Sequence, residues 1–452
     1  MSKVESERKT HEAIPAARKA FLALRDFGYK FEEAVADIVD NSVEHGSTTV
    51  RIEAVWEGPD SYVHIMDNGS GMGAPQLREA LRHGSNSEYE EDSLGKFGFG
   101  LKSASLSQCD VLTVSSRQNP KQANIYAYAW DTDYIVKTNS WEILEIPTKE
   151  LLSSAAEHLR ETVGTVVTWQ GLRFLQSYKR PDGEHAKKGF YDILKRTEQH
   201  LAMVFHRFLS GEVKGRRLIL LINNKKIEPW DPFARRGEKT KALDPQRITF
   251  DTGTAKGTVI FEPYVLPAER NFSSPTSFAY YSGPERWNKQ QGFYIYRADR
   301  MIQSGGWCGI RTQDEHTKLA RIAISFPTKL DEAFKINVSK TAIILPSELK
   351  DVLKTLTEPV IRIAKDEYNP RRDPTTSPPP LAPLVTQPGR QNVSDPTAPS
   401  KPSNSSVLKS KNNLDVDQLE LLLLAFAKEP NEKQVIKLVA ERMRSHFQKK
   451  ND

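Results

Sequence analysis

Asp37 and Asn41 lie four residues apart in the segment DIVDN, which ends at Asn41. On a helix this spacing places both side chains on one face. The amide oxygen of Asn41 can ligate a hard cation such as Mg²⁺ that bridges phosphates. The carboxylate of Asp37 can orient or deprotonate a water molecule. A solvated helix face has the same spacing, so the pair alone does not define a site.

The segment DNGSGM, residues 67–72, follows a predicted strand and begins with a carboxylate. If Asp67 is buried there, it can accept a hydrogen bond from an exocyclic amine. Gly69 and Gly71 allow the backbone to approach a flat base without a side-chain clash. An ordinary turn has the same composition. The segment therefore fits either a base-binding turn or a plain connection.

A third segment, GKFGFGLKSA at residues 95–104, carries three glycines that lead directly into a predicted helix. A helix N-terminus offers free N–H groups and the positive end of the helix dipole, which suit phosphates. Lys102, in the first turn, adds a positive charge. The glycine spacing differs from that of a P-loop, and the segment follows a long loop rather than a strand, which argues against a Rossmann turn.

Hydrophobic periodicity predicts the elements that position these segments. Helices are expected at residues 14–27 and 31–44, and the second of them carries DIVDN. Strands are expected at 48–55, 61–66, 111–115, 124–130 and 165–170. The order of two helices, two strands, a long glycine-rich segment, a helix and further strands predicts an α/β sandwich with a mixed sheet.

The chain has 452 residues, which is too long for a single core and indicates two or more domains. A second unit with a helix at 189–209 and several strands follows the first. Residues 370–412 are rich in Pro and Ser and cannot bury a core. Two short helices are expected after them, at about 416–428 and 432–448. We expect this helical hairpin to dock on a partner protein or on a second copy of the chain.

The formal net charge is +6 and the pI is about 9.0. This mild excess permits contact with a polyanion but fits an ordinary basic protein equally well. The two cysteines, Cys109 and Cys308, form neither a disulfide framework nor a metal-ligand pattern, which favours a reducing compartment. The sequence shows no signal peptide and no apolar run long enough to span a bilayer. We therefore expect a cytoplasmic protein that does not contact membranes.

The three segments in this order resemble the N box (DIVDN), G1 box (DNGSGM) and G2 box (GKFGFGLKS) of the GHKL superfamily of gyrases, heat-shock chaperones, histidine kinases and MutL proteins. Thr165 in GTVVT matches the threonine on a late strand of that family. Within the superfamily the sequence is most similar to MORC-type and bacterial MutL-like proteins. The resemblance covers about residues 14–350.

The resemblance implies a Bergerat-type α/β sandwich that binds ATP, followed by an α+β transducer-like domain. We place the ATP-binding domain at residues 1–175 and the transducer-like domain at 176–367. The Pro/Ser-rich linker then spans 368–413 and the helical tail 414–452. The segment INNKKIEPWDPF, residues 222–233, is similar to the first hairpin of a transducer, with Asp231 in a structural role.

The roles of individual residues follow from the same resemblance. Asp67 would bind the adenine amine, with Thr165 assisting through water, and Asn41 would hold Mg²⁺ against the phosphates. Lys102 and the amides of residues 98–101 would cradle the phosphates, and residues 81–97 would form a mobile lid. The full set of nucleotide-binding candidates is Asn41, Asp67, Gly69, Gly71, Met72, Gly95, Phe97, Gly98, Phe99, Gly100, Leu101, Lys102 and Thr165.

Two candidates for catalysis are Asp37 and Lys340. Hydrolysing members of the superfamily have Glu at the position of Asp37, and Asp has the same charge with one methylene less reach. Lys340 in KINVSK resembles the basic residue that a transducer sends to the γ-phosphate, although a surface lysine would look the same. Glu33, a further turn back, is a poor substitute for Asp37.

These features predict a Mg²⁺-dependent ATPase in which ATP closes the lid and brings two copies together as a clamp. Family analogy extends the prediction to DNA as a partner and to a bacterial defence system. The alternative is a nucleotide-gated interaction module, or a chaperone-like clamp, with little or no turnover. A histidine kinase is disfavoured because no phospho-acceptor helix precedes the N box.

Other residues have side chains that could bind a metal or an anion, but we interpret them as structural. His45, His64 and His83 do not have the spacing of a metal site. The basic loop that contains Arg235 is expected to be solvated, with contact to DNA phosphates as the alternative. Trp307 and Tyr294 are expected in the core.

Overall fold

The computed structural model describes residues 15–26, 28–82, 100–121, 124–251, 253, 255–336 and 343–369. All of these residues belong to one compact unit. The predicted linker (368–413) lies outside them except for its first two residues, and the predicted tail (414–452) lies outside entirely. The described helices are α1 (Ala17–Arg25), α2 (Phe31–Glu44), α3 (Ala74–Leu81), α4 (Gly100–Leu106), α5 (Thr132–Thr138), α6 (Ser153–Glu161), α7 (Arg173–Gln176), α8 (Glu184–Val204), α9 (His206–Leu209), α10 (Pro275–Tyr281), α11 (Arg286–Gln290) and α12 (Ser347–Tyr368).

The first sheet carries the sequence motifs. Its strands are β1 (Thr49–Val55), β2 (Tyr62–Asp67), β3 (Cys109–Arg117), β4 (Tyr126–Asp131), β5 (Leu144–Glu145), β6 (Gly164–Leu172), β7 (Ile219–Ile222) and β8 (Lys225–Lys226). Their order across the sheet is β5-β4-β3-β6-β2-β1-β7-β8. The pairing is antiparallel except between β1 and β7, which are parallel. The sheet is therefore mixed, as predicted.

Side chains of successive strand residues point to opposite faces of the first sheet, and each face has its own core. Ile65 and Val167 are buried in the large core that also contains the apolar residues of α1, α2 and α8. Their neighbours Met66 and Val166 pack instead with α6. Helices therefore cover both faces around β2 and β6, which is the sandwich expected from the sequence.

Helix α2 has the bounds that the sequence predicts. Its residues Ala34, Val35 and Val39 are fully buried, and Phe31 makes an edge-on contact with Trp169 on β6, with 5.4 Å between ring centroids. This apolar stripe fixes the rotation of the helix against the sheet. The helix face that carries Asp37 and Asn41 is set by that rotation.

The second sheet lies further along the chain. Its strands are β9 (Lys241–Ala242), β10 (Gln246–Asp251), β11 (Lys256–Val265), β12 (Gly292–Arg297), β13 (Arg300–Ser304) and β14 (Ala320–Phe326). The order is β10-β11-β14-β12-β13, with β9 paired to β11. Trp307 and most of the apolar residues of α12 belong to its core. Tyr294 is also fully buried, so the core placement of both aromatic residues is confirmed.

One pairing in the first sheet joins segments that lie far apart in the chain. The segment 222–233, which resembles the first hairpin of a transducer, overlaps β7 and β8, and β7 pairs with β1 in the first sheet. The parallel register pairs Thr49 with Ile219 and Ile52 with Ile222. The first sheet thus continues past residue 175. The sequence did not predict this pairing, because strand pairing over such a separation leaves no local pattern in the sequence.

Within the described part of the chain, no helix is long and apolar enough to cross a bilayer.

Candidate nucleotide-binding site

The predicted N-box residues lie on α2 where it packs against the first sheet. Asp37 is 1% exposed, and Asn41, one turn later, is half-buried. The helix begins after Lys30, whose backbone N–H donates to Glu33 Oε2 at 3.3 Å. This contact holds the Glu33 carboxylate at the N-terminal end of α2, two turns before Asn41. Asp37 is therefore the acidic side chain one turn before Asn41, as the sequence analysis expects.

Asp67, at the end of β2, is the centre of a hydrogen-bond network. Its Oδ1 atom accepts from the backbone N–H groups of Gly69, at 2.8 Å, and Thr165, at 3.2 Å. Its Oδ2 atom lies 3.0 Å from the hydroxyl of Ser42 on α2. One carboxylate therefore connects α2, the turn after β2 and the start of β6. Ser42 follows Asn41 directly, but its part in this network is absent from the sequence prediction.

The turn after β2 is fixed by its own side chains and by its glycines. Asn68 Oδ1 accepts from the backbone N–H groups of Thr48 and Thr49, both at 2.9 Å. Gly71 has a φ of +63°, and a Cβ atom there would overlap the carbonyl oxygen of Arg117. Only glycine combines this left-handed backbone with such close packing. The turn is thus shaped by its neighbours on β1 and β3.

Ser116 on β3 links the remaining predicted residues. Its hydroxyl accepts from Met72 N at 2.8 Å and donates toward Gly164 O, also at 2.8 Å. The hydroxyls of Ser116 and Thr165 are 2.9 Å apart. Met72 and Thr165, which are far apart in the chain, therefore meet through Ser116. Ser116 is not among the residues predicted from the sequence, because a serine on a strand has no signature of its own.

Gly164, which precedes Thr165, explains how β6 comes so close to β2. Its φ is +149°, and a Cβ atom at this position would overlap the carbonyl oxygen of Asp67. The same carbonyl oxygen lies 3.1 Å from His158 Nε2 on α6. The close approach of the two strands brings the Thr165 N–H within reach of the Asp67 carboxylate.

At the other end of the site, Asp37 faces Tyr29 and α4. Burial, followed by the nearby Asp37 carboxylate and its hydrogen bond, raises the pKa of the Tyr29 hydroxyl well above its usual value. The hydroxyl is therefore protonated at neutral pH and can donate. A Cβ atom on Gly100 would lie 3.7 Å from Asp37 Oδ2, so the carboxylate approaches the first residue of α4.

Lys102 is placed differently from its predicted contact with phosphates. Its side chain is 2% exposed, and Nζ donates to the carbonyl oxygens of Ala80, at 3.1 Å, and Arg82, at 2.6 Å. These carbonyls belong to the C-terminal end of α3, where a cation is favourable. Burial lowers the pKa of Lys102 to about 8, although Glu79 opposes the shift. In this structure the ammonium therefore stabilises the end of α3.

Several predicted residues lie outside the described part of the chain. These are Gly95, Phe97, Gly98, Phe99 and Lys340, together with all of the predicted lid except residues 81 and 82. Leu101 is described and packs at the margin of the large core. Gly69 is buried, whereas Met72 and Gly100 are half-buried. Their roles toward a nucleotide stay predictions.

The described residues fit an adenine nucleotide at the Asp67 end. Each carboxylate oxygen has two acceptor positions. Among the described residues, Asp67 Oδ2 has one polar neighbour, Ser42, so it can still accept from an exocyclic amine. A Cβ atom on Gly69 would come within 2.7 Å of Ser47 Oγ, so the backbone is tightly held beside that carboxylate.

The described residues contain no group of three or more His, Cys, Asp or Glu side chains that could hold a metal ion. A Mg²⁺ ion that bridges phosphates usually takes only one or two protein ligands and keeps several waters. Asn41 fits the part of a single oxygen ligand. His64 instead contacts Thr168 Oγ1 at 2.9 Å, and burial lowers its pKa to about 4, so it is a neutral buried side chain.

The basic loop after Asp231 is held by ion pairs. Arg235 contacts both Asp231, at 2.9 Å, and Glu212, at 2.7 Å. Lys241 contacts Glu367 at 2.7 Å. Asp231 also accepts from the backbone N–H groups of Phe233 and Arg235, which confirms its structural role.

Comparison with protein families identifies the domain. Residues 29–165 match the family described as histidine kinase-, DNA gyrase B- and HSP90-like ATPase. No curated protein matches the chain. The matched segment begins at Tyr29 and ends at Thr165, and it contains every candidate residue except Lys340.

Residues 29–165 are therefore a GHKL-type ATPase domain, and they form most of the α/β sandwich around the first sheet. Membership of this family implies that the domain binds ATP.

Proposed function

We propose that this protein hydrolyses ATP to ADP and phosphate in the presence of Mg²⁺. The carrying observation is the position of Asp37, which is buried one turn before Asn41 and approaches Gly100 at the start of α4. In the proposed reaction the Asp37 carboxylate accepts a proton from a water molecule, whose oxygen attacks the γ-phosphorus. The bond to the β-γ bridging oxygen breaks, and ADP leaves.

Different residues of the chain would bind the adenine and the Mg²⁺ ion. Asp67 accepts from the adenine amine, and Thr165 and Ser42 hold its carboxylate in place. Asn41 would hold Mg²⁺, which supplies positive charge beside the phosphates. The Tyr29 hydroxyl, whose pKa is raised by burial and by the nearby Asp37 carboxylate, stays protonated and can donate to that carboxylate.

A second candidate function is a nucleotide-gated interaction module without useful turnover. It is favoured by the shorter side chain of Asp37, where hydrolysing relatives carry Glu. Steady-state release of phosphate from wild type, Asp37→Ala and Asp37→Glu separates the two. We expect wild-type turnover that Asp37→Ala loses. Phosphate release by the wild type that does not exceed the background without protein, with ATP bound, would support the second function.

The domain is also proposed to act as an ATP-driven clamp, as in the MORC-type and MutL-like subtypes that the sequence resembles. In this proposal Lys340 supplies a cation to the γ-phosphate and fixes one orientation of the second unit, which a symmetric dimer requires. Light scattering should then show a dimer with a non-hydrolysable ATP analogue and a monomer with ADP.

A matched pair of lysines tests this clamp. Lys340→Ala should stay monomeric with the ATP analogue, whereas Lys335→Ala, an exposed lysine in the same segment, should dimerise like the wild type. A mass that does not change with nucleotide would contradict the clamp. So would dimerisation of Lys340→Ala.

DNA is proposed as the partner of the clamp. The support is the charge of residues 173–226, which carry 13 Lys or Arg residues against 5 Asp or Glu residues. Lys225 and Lys226 form the exposed strand β8 within this segment. Fluorescence anisotropy with duplex DNA should show binding that weakens in Lys225→Glu/Lys226→Glu and falls steeply with salt. Unchanged binding in the double variant would remove this strand from the DNA surface.

A further inference from the structure

A buried ion pair joins the second sheet to the helix that carries the N box. Arg300, the first residue of β13, donates from Nε to Asp40 Oδ1 on α2 at 3.3 Å. Their side chains are 3% and 1% exposed. The two residues are 260 positions apart in the chain. Asp40 directly precedes Asn41, so this contact acts on the turn of α2 that faces the proposed phosphate site.

The hairpin that presents Arg300 has an unusual backbone. Arg297 and Arg300 pair across a two-residue turn, and both turn residues, Ala298 and Asp299, have positive φ, at 45° and 67°. This is the type I′ geometry that favours Asn and Gly, so Ala298 is held at an energetic cost. Such a strained backbone is kept only where the surrounding contacts hold the turn in that conformation.

Those contacts are ion pairs on both sides of the turn. Asp299 binds Arg207 on α9 at 2.9 Å, and the Arg207 guanidinium lies 3.7 Å from the centre of the Tyr296 ring. Arg300 Nη1 donates to its neighbour's carbonyl, Met301 O, at 2.8 Å. The turn is thus fastened to α9 through Asp299 and to α2 through Arg300.

His200 on α8 is a titratable side chain close to both members of the pair. Burial, and then the nearby cation of Arg300, lower the pKa of His200 on α8 to about 3. The His200 ring is neutral at physiological pH and therefore adds no charge to the pair. The Arg300 cation also lies 5.6 Å from the centre of the Phe205 ring.

We infer that Arg300 is a positioning residue of the nucleotide site, which holds the Asn41 turn of α2 in place through Asp40 and couples the second sheet to nucleotide occupancy. The inference rests on the proposed function of Asn41. A rigid guanidinium fork sets orientation more sharply than a flexible ammonium, so Arg300→Lys keeps the charge but relaxes the position of Asp40. Because coupling is reciprocal, bound nucleotide must also restrain β13.

The same hairpin supplies a matched control. Arg297 binds Asp331 through two contacts, of 2.8 Å and 2.7 Å, and these side chains are 5% and 7% exposed. This pair is also deeply buried. Arg297 is the last residue of the neighbouring strand β12, and its partner Asp331 follows β14 of the second sheet. Replacing either pair removes a buried ion pair. The Arg300 pair reaches α2 through Asp40, whereas Asp331 follows β14 in the chain.

The experiment measures the affinity of the full chain for ATP with Mg²⁺ and with EDTA, by calorimetry, below the unfolding temperature of each variant. We expect Arg300→Lys and Asp40→Asn to reduce the gain in affinity from Mg²⁺ about tenfold, which corresponds to about 1.4 kcal/mol. In Arg297→Lys and Asp331→Asn, the increase in affinity caused by Mg²⁺ should stay within about twofold of the wild-type increase. Hydrogen exchange of residues 292–304 should slow when wild type binds Mg-ATP.

The outcomes separate this inference from the proposed function. If wild type fails to bind ATP, the proposed function is refuted and the inference with it. A second outcome is that wild type binds Mg-ATP but the variants of both ion pairs change the increase in affinity caused by Mg²⁺ equally, or that neither set of variants changes it. In that case only the inference is overturned. Should Arg300→Lys or Asp40→Asn unfold, the neutral double variant Arg300→Gln/Asp40→Asn takes its place, with the same expected loss.

Discussion

The adenine end and the phosphate end of the proposed site are built in different ways. At the adenine end, the oxygens of Asp67 already have three polar neighbours from three separate elements, namely Ser42, Gly69 and Thr165. At the phosphate end, Asp37 is more deeply buried but depends on Tyr29 and on the start of α4. The first end is a framework of short backbone contacts. The second depends on the packing of helices.

This difference indicates which functions each end can serve. A carboxylate fixed by backbone N–H groups changes position little, which suits recognition of a rigid base. A carboxylate set by helix packing moves when the helices move, which suits a step that responds to a distant contact. Arg300 is such a contact, because it reaches the same helix from the second sheet. The predictions below test this division, from the largest expected effect to the smallest.

Asp67→Asn should remove detectable ATP binding. The amide would place an N–H donor against the adenine amine or against the N–H groups of Gly69 and Thr165. Each such mismatch costs about 1 to 3 kcal/mol; the first orientation creates one mismatch and the second creates two. Calorimetry measures the loss. Asp131→Asn, which alters a carboxylate that accepts from Tyr134 N at the start of α5, should bind ATP normally. Unchanged affinity in folded Asp67→Asn would take Asp67 out of the adenine site.

Asp37→Ala should bind ATP but hydrolyse it roughly 100-fold more slowly, the usual scale for loss of a general base. Phosphate release at saturating ATP measures this effect on kcat. Glu33→Ala, which alters the first turn of the same helix, serves as the control and should retain turnover. A wild-type rate in Asp37→Ala would assign the base to another residue and would weaken the contrast between the two ends.

Asn41→Ala should weaken Mg-ATP binding about tenfold, or about 1.4 kcal/mol, because a single oxygen ligand is lost. ATP in EDTA should bind the variant and the wild type equally. Titration under both conditions provides the comparison. An equal loss with and without Mg²⁺ would mean that Asn41 contacts the nucleotide itself rather than the ion.

Lys102→Met should change stability more than ATP affinity, since the ammonium is occupied by the carbonyls of Ala80 and Arg82. Burial lowers the pKa of Lys102 to about 8 from its ordinary value of 10.5, so the unfolded chain holds this proton more tightly than the folded one. The free energy of unfolding of the wild type should therefore rise, relative to Lys102→Met, as the pH rises from 8 to 10.5. Denaturant unfolding across this range measures the slope.

The opposite result for Lys102 would be informative. In that case the difference in unfolding free energy between wild type and Lys102→Met would stay constant between pH 8 and 10.5, and Lys102→Met would lose ATP affinity by tenfold or more. Both results together would support the phosphate-binding role of Lys102 that the sequence predicts.

The sequence predicted the local parts of the site well. The spacing of apolar residues gave the exact bounds of α2, and the position of Asp67 after a strand was correct. Thr165 was also expected to act together with Asp67, and the structure brings its backbone N–H to the Asp67 carboxylate. These features follow from periodicity and from motifs that are contiguous in the chain.

The parts that could not be predicted depend on contacts between distant segments. Ser116 acts only because β3 lies beside β6, and Arg300 only because a hairpin turn aims it at α2. Lys102 was predicted to bind phosphates because its segment, residues 95–104, gives no sign that the end of α3 lies beside it. The pairing of β7 with β1 was missed for the same reason. A single sequence carries no signal for partners at such separations.

The most direct test of the central claim is a calorimetric titration of the wild-type chain with ATP and, separately, with GTP. The carboxylate of Asp67 can accept from the 6-amino group of adenine, whereas the 6-oxo group of guanine offers it only another acceptor. We therefore predict that ATP binds and that GTP binds at least about tenfold more weakly, the effect of one buried polar mismatch of about 1 to 3 kcal/mol. Equal affinity for the two nucleotides, or no binding of ATP, would contradict the account.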